Sequence, residues 1–167
     1  PLAWREPRQP EGDGDSLFRM GQPRPCPLTP SEQYAFMSLW CLMASPLFYS
    51  GDMTRLDEFT LNVLCNTELI EVNQDPLGQC ARVVMLGEET FAMVKDMADG
   101  SKAVGLFNQG QFPADVCARW ERLGIPGAWR ARDLWRQKDI GLLPEQYAAK
   151  LARRGCFVMR LWKDGER

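Results

Sequence analysis

The sequence predicts two kinds of fold in succession, a parallel α/β layer followed by an antiparallel β-sandwich. In the first half, helical and strand-like segments alternate, which is the order that builds a parallel sheet. In the second half, short strand-like runs alternate with turn signals, which is typical of a β-sandwich. The character changes after Gly78, and we therefore predict two units, residues 1–79 and 80–167.

The first helix has a clear predicted start. Residues 1–28 are rich in Pro, Gly and charge, which indicates an irregular loop. Thr29 can cap a helix, Pro30 suits the first helical position, and Glu32 stands three residues after the cap. The apolar face that follows comprises Phe36, Leu39, Trp40 and Met43. We expect this helix to end near Ser45, because the next residue is a proline.

Two apolar runs then predict buried strands, at residues 46–50 and 69–73. Between them, Asp57 precedes a helical stretch from Glu58 to Cys65. In the second half, the predicted strands cover residues 90–95, 102–107, 116–120, 131–135 and 157–162. The tetrapeptide Ala98-Asp99-Gly100-Ser101 separates the first two of these and predicts a hairpin.

Composition limits the classes of function. Of the 167 residues, 45% are hydrophobic, which is enough for a packed core. A net charge of −2 gives no reason to expect nucleic acid or an anionic membrane as a partner. No apolar run approaches the roughly 20 residues of a membrane span. Because the chain begins with Pro1 and lacks a leader, we expect a processed, truncated or fragmentary chain of unknown oligomeric state.

Histidine is absent, which excludes a Ser-His-Asp triad or a Cys-His dyad within this chain. The six cysteines form no CxxC motif, so we expect neither a metal site nor a cofactor. Cys41 and Cys65 lie in apolar helical patterns. We interpret them as small buried side chains, with disulfide bonds as the alternative.

Three segments of the first half carry a family resemblance: LTPSEQYAFMSLWCLMASPLFYSGDM, LDEFTLNVLCN and VNQDPLG. They closely resemble family 27 glycoside hydrolases, the α-galactosidase type. KAVGLFNQG and RDLWRQKDIG resemble segments of that family's β domain, so the resemblance spans residues 11–162. It implies the last βα units of a (β/α)8 TIM barrel followed by an antiparallel β-sandwich. Residues 46–50 and 69–73 would be barrel strands seven and eight.

The resemblance also implies an activity, the retaining hydrolysis of terminal α-galactosides or oligosaccharides that carry them. The family's two catalytic Asp residues lie on barrel strands four and six, which would precede residue 1. We therefore assign no catalytic residue here and expect this chain alone to be inactive. Family members are commonly secreted or periplasmic, which is the expected location.

One residue is predicted to bind substrate. The family has Trp-Asn-Asp-Pro-Asp-Ser/Met-Leu before this helix, where the present chain has Glu-Gly-Asp-Gly-Asp-Ser-Leu at residues 11–17. The resemblance implies that Asp15 binds sugar hydroxyls. The alternative is a solvated acidic loop, since the Trp, Asn and Pro of the motif are not kept.

Other polar side chains follow the two predicted barrel strands, namely Asp52, Asn73, Gln74 and Asp75. Barrel enzymes keep their active residues at such positions. We nevertheless expect structural roles for them, in capping or in loop hydrogen bonds. The aromatic candidates for sugar stacking are Trp4, Tyr49, Trp129 and Trp135, whereas Trp40, Trp120 and Trp162 are predicted to belong to the core.

Three functional hypotheses remain open at this point. The chain is the C-terminal part of a family 27 hydrolase, a non-catalytic carbohydrate-binding or scaffolding module, or a degenerate homologue that begins at Pro1 and does something else. An upstream reading frame that encodes the catalytic strands would favour the first hypothesis. A stop codon next to Pro1 would exclude it.

Overall fold

The computed structural model describes residues 26–163. Within this range the helices are α1 (Pro30–Leu42), α2 (Glu58–Leu64) and α3 (Thr67–Asn73), with a 3-10 turn at Met53–Arg55. The strands are β1 (Arg82–Met85), β2 (Thr90–Asp96), β3 (Lys102–Asn108), β4 (Ala114–Arg119), β5 (Trp129–Asp133), β6 (Lys138–Leu143), β7 (Gln146–Leu151) and β8 (Cys156–Lys163).

The strands form two antiparallel sheets, as predicted for the second half. Six strands pair in the order β1-β2-β3-β8-β5-β6, and β4 pairs with β7. The side chains between the sheets include Val104, Leu106, Val116, Trp120, Trp129 and Leu161, all buried. Each large apolar side chain moved out of water contributes about 1.5–3 kcal/mol, so this layer is a main source of stability.

The central strands of the six-stranded sheet are covered on both faces, because the helices pack on the face opposite to β4 and β7. Alternate residues of a strand point to opposite faces. Thus Val104 of β3 belongs to the core between the sheets, while Phe107 packs with the helices. Between them, a Cβ on Gly105 would lie 2.4 Å from Leu42 Cδ1. Glycine at this position therefore allows α1 to approach the sheet closely.

Helix α1 begins as the sequence predicts. The Glu32 carboxylate accepts from the Thr29 backbone N–H at 2.8 Å, and the Glu32 N–H donates to Thr29 Oγ1 at 3.4 Å. This reciprocal pair is a capping box. The helix ends at Leu42, slightly before the predicted Ser45. Helix α2 is also confirmed, with Asp57 as its N-cap.

The two strands predicted in the first half are wrong. Residues 69–73 lie in α3, because the Asn66 side chain accepts from the Leu69 N–H and caps a helix. Leu69 and Val72, three residues apart, are both fully buried, which is a helical spacing. Residues 46–50 have no regular structure. A strand needs a neighbouring backbone, and none of the described strands pairs with this segment.

The strands predicted in the second half are confirmed, with small shifts of their ends. The predicted hairpin joins β2 to β3 with Asp96 opposite Lys102, and Gly100 adopts a φ of +83° in its turn. No strand was predicted at β1, β6 or β7, whose residues are mostly exposed or half-buried. No described helix is long and apolar enough to cross a bilayer. The boundary near residue 80 remains a prediction.

Candidate functional site

Asp52 caps a short turn in an exposed loop. Its carboxylate accepts from the Thr54 backbone N–H at 3.0 Å and from Thr54 Oγ1 at 2.6 Å. These hydrogen bonds, that of the hydroxyl first, hold the pKa of Asp52 below its usual value. Residues 53–55 form the 3-10 turn that Asp52 caps. The structural role expected for Asp52 is thus visible in its hydrogen bonds.

Asp75 is buried, with 8% of its surface exposed. One carboxylate oxygen accepts from the Leu77 N–H at 3.1 Å, and the other accepts from the Ala98 N–H at 2.9 Å. Ala98 lies in the β2–β3 hairpin, so Asp75 ties the loop after α3 to the sheet. Both oxygens are committed to backbone donors, which is the loop-binding role that the sequence analysis expected.

Asn73 and Gln74 close the end of α3. Asn73 Nδ2 donates to the Ser45 carbonyl at 2.8 Å and so binds the chain segment that follows α1. Gln74 is the C-cap, and its N–H donates to the Ile70 carbonyl at 2.9 Å. The structure therefore brings Asn73, Gln74 and Asp75 together at one end of α3, while Asp52 lies in a separate exposed turn.

Lys95 is a buried cation that the sequence analysis did not single out. It has 1% of its surface exposed, and its ammonium group donates to the Val72 carbonyl in the last turn of α3. Burial lowers the pKa of Lys95, while the negative charge of Asp75 opposes that change. Phe91 and Met93 lie on the same face of β2, beneath the helices. The position of Lys95, two residues after Met93 in this strand, was the only sequence signal for its contact with Val72.

The aromatic candidates separate into three environments. Trp129 is 2% exposed and its indole N–H donates to the Ile125 carbonyl at 2.9 Å, so it belongs to the core and the prediction of a sugar platform is wrong. Trp120 is likewise core, as predicted. Tyr49 is 48% exposed, and Trp135 is half-buried. Trp4 lies outside the described residues.

Tyr49 lines a wide apolar groove of about 850 Å³ between α1, residues 46–49 and α2, here named the helical groove. Its apolar walls include Phe36, Trp40, Leu47, Phe48 and Leu64. Phe48 is 91% exposed. Large exposed apolar surfaces of this kind mark places where another structure packs. The half-buried Trp40, predicted as core, contributes to this surface.

The described cysteines are all free thiols. Cys41 is fully buried, and burial raises its pKa to about 12. This agrees with the interpretation of a small buried side chain, whereas Cys65 is exposed and departs from it. Among residues 26–163, no group of three or more His, Cys, Asp or Glu side chains could hold a metal ion.

Two family models match consecutive parts of the chain. The model described as α-galactosidase A matches residues 25–75, and the one described as the α-galactosidase C-terminal β-sandwich domain matches residues 88–161. This chain belongs to family 27 of the glycoside hydrolases. The first match covers all three helices and the second covers β2 to β8, which are the two parts that the sequence resemblance distinguished.

Several α-galactosidases match over most of this chain. A probable α-galactosidase of Dictyostelium discoideum is 30% identical over 137 residues, which are 78% of this chain and 36% of the relative. α-Galactosidase 3 of Arabidopsis thaliana is 34% identical over 118 residues, 68% of this chain and 27% of the relative. The chain thus spans about a third of the length of the relatives that it matches.

A solved family 27 structure has the same arrangement. The β-L-arabinopyranosidase of Geobacillus stearothermophilus superposes with a TM-score of 0.81 and 29% identity, covering 90% of this chain and 34% of that enzyme. A variant of the same enzyme, in complex with arabinose, superposes with a TM-score of 0.79. In the present chain, Asp15, the predicted substrate-binding residue of family 27, lies outside the described residues.

Proposed function

We propose that this chain is the C-terminal part of a retaining α-galactosidase-type glycosidase that acts on terminal α-galactosides. The observation that carries the proposal is the match of residues 25–75 to the α-galactosidase A model. This segment belongs to the enzyme's first, non-sandwich part, so the likeness is not limited to an accessory domain. The relatives that support the proposal are named α-galactosidases.

The proposed mechanism needs two carboxyl groups about 5 Å apart, one as nucleophile and one as acid/base. We place both on barrel strands that precede this chain. The hydrogen bonding of Asp75 supports this placement, because both of its oxygens accept from the backbone N–H groups of Leu77 and Ala98. Asp52 caps an exposed turn through one oxygen. Asp15 would contribute to the sugar pocket. This chain alone would then be inactive.

The substrate would be a galactoside or an oligosaccharide with a terminal galactose. A related sugar is a specific alternative, because the neighbour from Geobacillus stearothermophilus is named a β-L-arabinopyranosidase. L-Arabinopyranose and D-galactopyranose share ring hydroxyl orientations and differ by the exocyclic hydroxymethyl group. Both substrates should therefore be assayed. The proposed location, secreted or periplasmic, rests on the family resemblance alone.

The helical groove would receive the remainder of the barrel. The exposed side chain of Phe48 and the half-buried Trp40 provide an apolar surface. The match covers only 36% of the Dictyostelium discoideum relative, and the rest of that longer chain could cover this surface. In this proposal, residues 1–79 complete a barrel and residues 80–167 form the sandwich behind it.

The test is an assay of p-nitrophenyl α-galactoside and p-nitrophenyl β-L-arabinopyranoside with two proteins. The first is the 167-residue chain, and the second is the product of the reading frame extended upstream of Pro1. Hydrolysis by the extended product alone supports the proposal. A stop codon immediately upstream, or an extended product that hydrolyses neither substrate, contradicts it.

A further inference from the structure

A second cavity, of about 500 Å³, lies between the first turns of α1 and strands β7 and β8. Its lining includes four half-buried aromatic side chains, Tyr34, Trp135, Tyr147 and Phe157, and it is named here the aromatic cleft. Cavities of this size that combine aromatic walls with a few polar groups are typical of small-molecule sites.

The aromatic walls are held in fixed positions by their contacts. Tyr147 and Phe157 stack with their ring centres 4.8 Å apart, and Tyr34 meets Trp135 edge-on at 4.6 Å. The indole N–H of Trp135 donates to Ser38 Oγ at 2.9 Å, which fixes the ring. These contacts hold the side chains in place before a ligand binds, which lowers the entropic cost of ordering them on binding.

Polar groups stand at the rim of the aromatic cleft. The Asp133 carboxylate accepts from the backbone N–H groups of Trp135 and Arg136, each at 3.0 Å. The Arg136 side chain is 78% exposed and contacts Asp133 at 3.5 Å, so most of its five N–H donors remain available. Ser31 adds a hydroxyl group to the lining.

Tyr147 can also donate from its hydroxyl at neutral pH. Burial raises the pKa of Tyr147, and the negative charge of Asp133 raises it further, against the effect of Arg136. The cleft thus combines apolar rings with several hydrogen-bond donors. A pyranose matches this combination, because one ring face presents C–H groups and its edge presents hydroxyl groups.

We propose that the aromatic cleft binds a neutral hexopyranose, which stacks on Tyr147 and is held through its hydroxyl groups by Arg136. The choice of a hexopyranose as the ligand rests on the proposed function. The binding itself needs no catalytic residue, and it can be measured on the 167-residue chain.

The probe is D-galactose, titrated into the chain with ¹⁵N-labelled tryptophan and followed by the indole N–H resonances. The Trp135 resonance, assigned with Trp135→Phe, should shift saturably. Trp120 and Trp129 serve as internal controls, because their indoles donate to the Leu143 and Ile125 carbonyls within the core. No saturable shift at Trp135 would overturn the proposal.

A matched pair of variants distinguishes the cleft from weak surface stacking. Tyr147→Ala should raise the Kd about tenfold, the loss expected for one stacking platform. Phe112→Ala removes an aromatic ring that is 79% exposed outside the cleft, and should leave the Kd within about twofold of the original. An unchanged Kd in Tyr147→Ala would contradict the proposal.

Two further controls keep the outcome interpretable. The Trp120 and Trp129 resonances report whether Tyr147→Ala remains folded. If these resonances lose their dispersion, Arg136→Ala is used in place of Tyr147→Ala. The Arg136 side chain is exposed, and its loss should weaken binding about fivefold. An unchanged Kd in Arg136→Ala would then contradict the proposal. Binding is measured without turnover, so failure here leaves the hydrolase proposal intact, and an inactive extended enzyme leaves the cleft proposal intact.

Discussion

At the scale of single residues, a few buried polar side chains attach the helices to the sheet. Asp75 accepts from Ala98 in the β2–β3 hairpin, and Lys95 donates to Val72 in α3. Asn66 caps α3 and also donates to the Leu134 carbonyl at 2.9 Å. A buried polar group left without its partner costs about 1–3 kcal/mol. These contacts therefore specify where the helices dock.

The first prediction concerns Asp75. Asp75→Ala should lower the free energy of unfolding by about 1–3 kcal/mol, because the N–H groups of Leu77 and Ala98 lose their buried acceptor. Urea unfolding followed by tryptophan fluorescence measures this change. Asp52→Ala is the matched control and should cost markedly less, since Asp52 serves only an exposed turn. Equal losses in the two variants would contradict the assignment.

The second prediction concerns the pH dependence set by Glu32. The Thr29 backbone N–H, followed by the Arg154 and Thr29 side chains, lowers the pKa of Glu32 from 4.5 to about 2. Because the folded pKa is depressed, the stabilisation is fully present above pH 4.5 and is lost as the pH falls towards 2.

The variant Glu32→Gln tests this dependence. The difference in unfolding free energy between the original chain and Glu32→Gln should be greatest above pH 4.5 and should shrink as the pH approaches 2. Urea titrations at several pH values across this range provide the measurement. A difference that stays constant with pH would show that the Glu32 charge does not support the cap.

At the scale of secondary-structure elements, α3 is the clearest departure from the sequence analysis. The run Leu69-Ile70-Glu71-Val72 was interpreted as a strand because it is short and apolar. Short apolar runs do not distinguish a strand from a buried helix. The two acidic residues of α3 form ion pairs with arginines that are distant in the sequence. Arg132 pairs with Glu68, and Arg160 pairs with Glu71. Such long-range pairs carry no local sequence signal.

The third prediction concerns the attachment of α3 by Arg132. Two hydrogen bonds, at 2.9 and 2.7 Å, join its guanidinium to the two oxygens of Glu68, and the side chains are 25% and 20% exposed. A double-mutant cycle with Arg132→Ala and Glu68→Ala should give a coupling energy of about 1 kcal/mol, because the pair is bidentate and mostly shielded from water. The measurement is the unfolding free energy of all four proteins in urea.

The control cycle uses Lys102 and Asp96. This pair also spans 2.9 Å, but Lys102 is a point charge and Asp96 is 57% exposed. Its coupling should be only about 0.3 kcal/mol. Equal coupling energies of about 0.3 kcal/mol in both cycles would show that the Arg132–Glu68 pair does not hold α3 against the sheet.

Elements whose signal is local were predicted well. The start of α1 depends on Thr29, Pro30 and Glu32, which stand next to one another, and the β2–β3 hairpin depends on residues 98–101. Strand β7 was missed because the exposed Ala148 breaks the polar–apolar alternation of its sequence, although burial alternates along the strand. The aromatic cleft was missed for a different reason, since Tyr34, Trp135 and Tyr147 meet only after the chain has folded.

At the scale of the whole molecule, a six-stranded sheet separates two cores. One core lies against β4 and β7, and the other lies beneath the helices. The helical groove stays apolar and open on the outer side of the helices. The family could be predicted from sequence motifs, because these are local. The conformation of residues 46–50 could not, because a strand forms only where a partner strand is present.

The fourth prediction tests the proposal that the catalytic carboxyl groups lie outside this chain. The measurement is hydrolysis of p-nitrophenyl α-galactoside by the 167-residue chain. We expect no turnover above background by this chain, and turnover by the product of the upstream-extended reading frame. Turnover by the 167-residue chain that survives Asp15→Asn, Asp52→Asn and Asp75→Asn would contradict it.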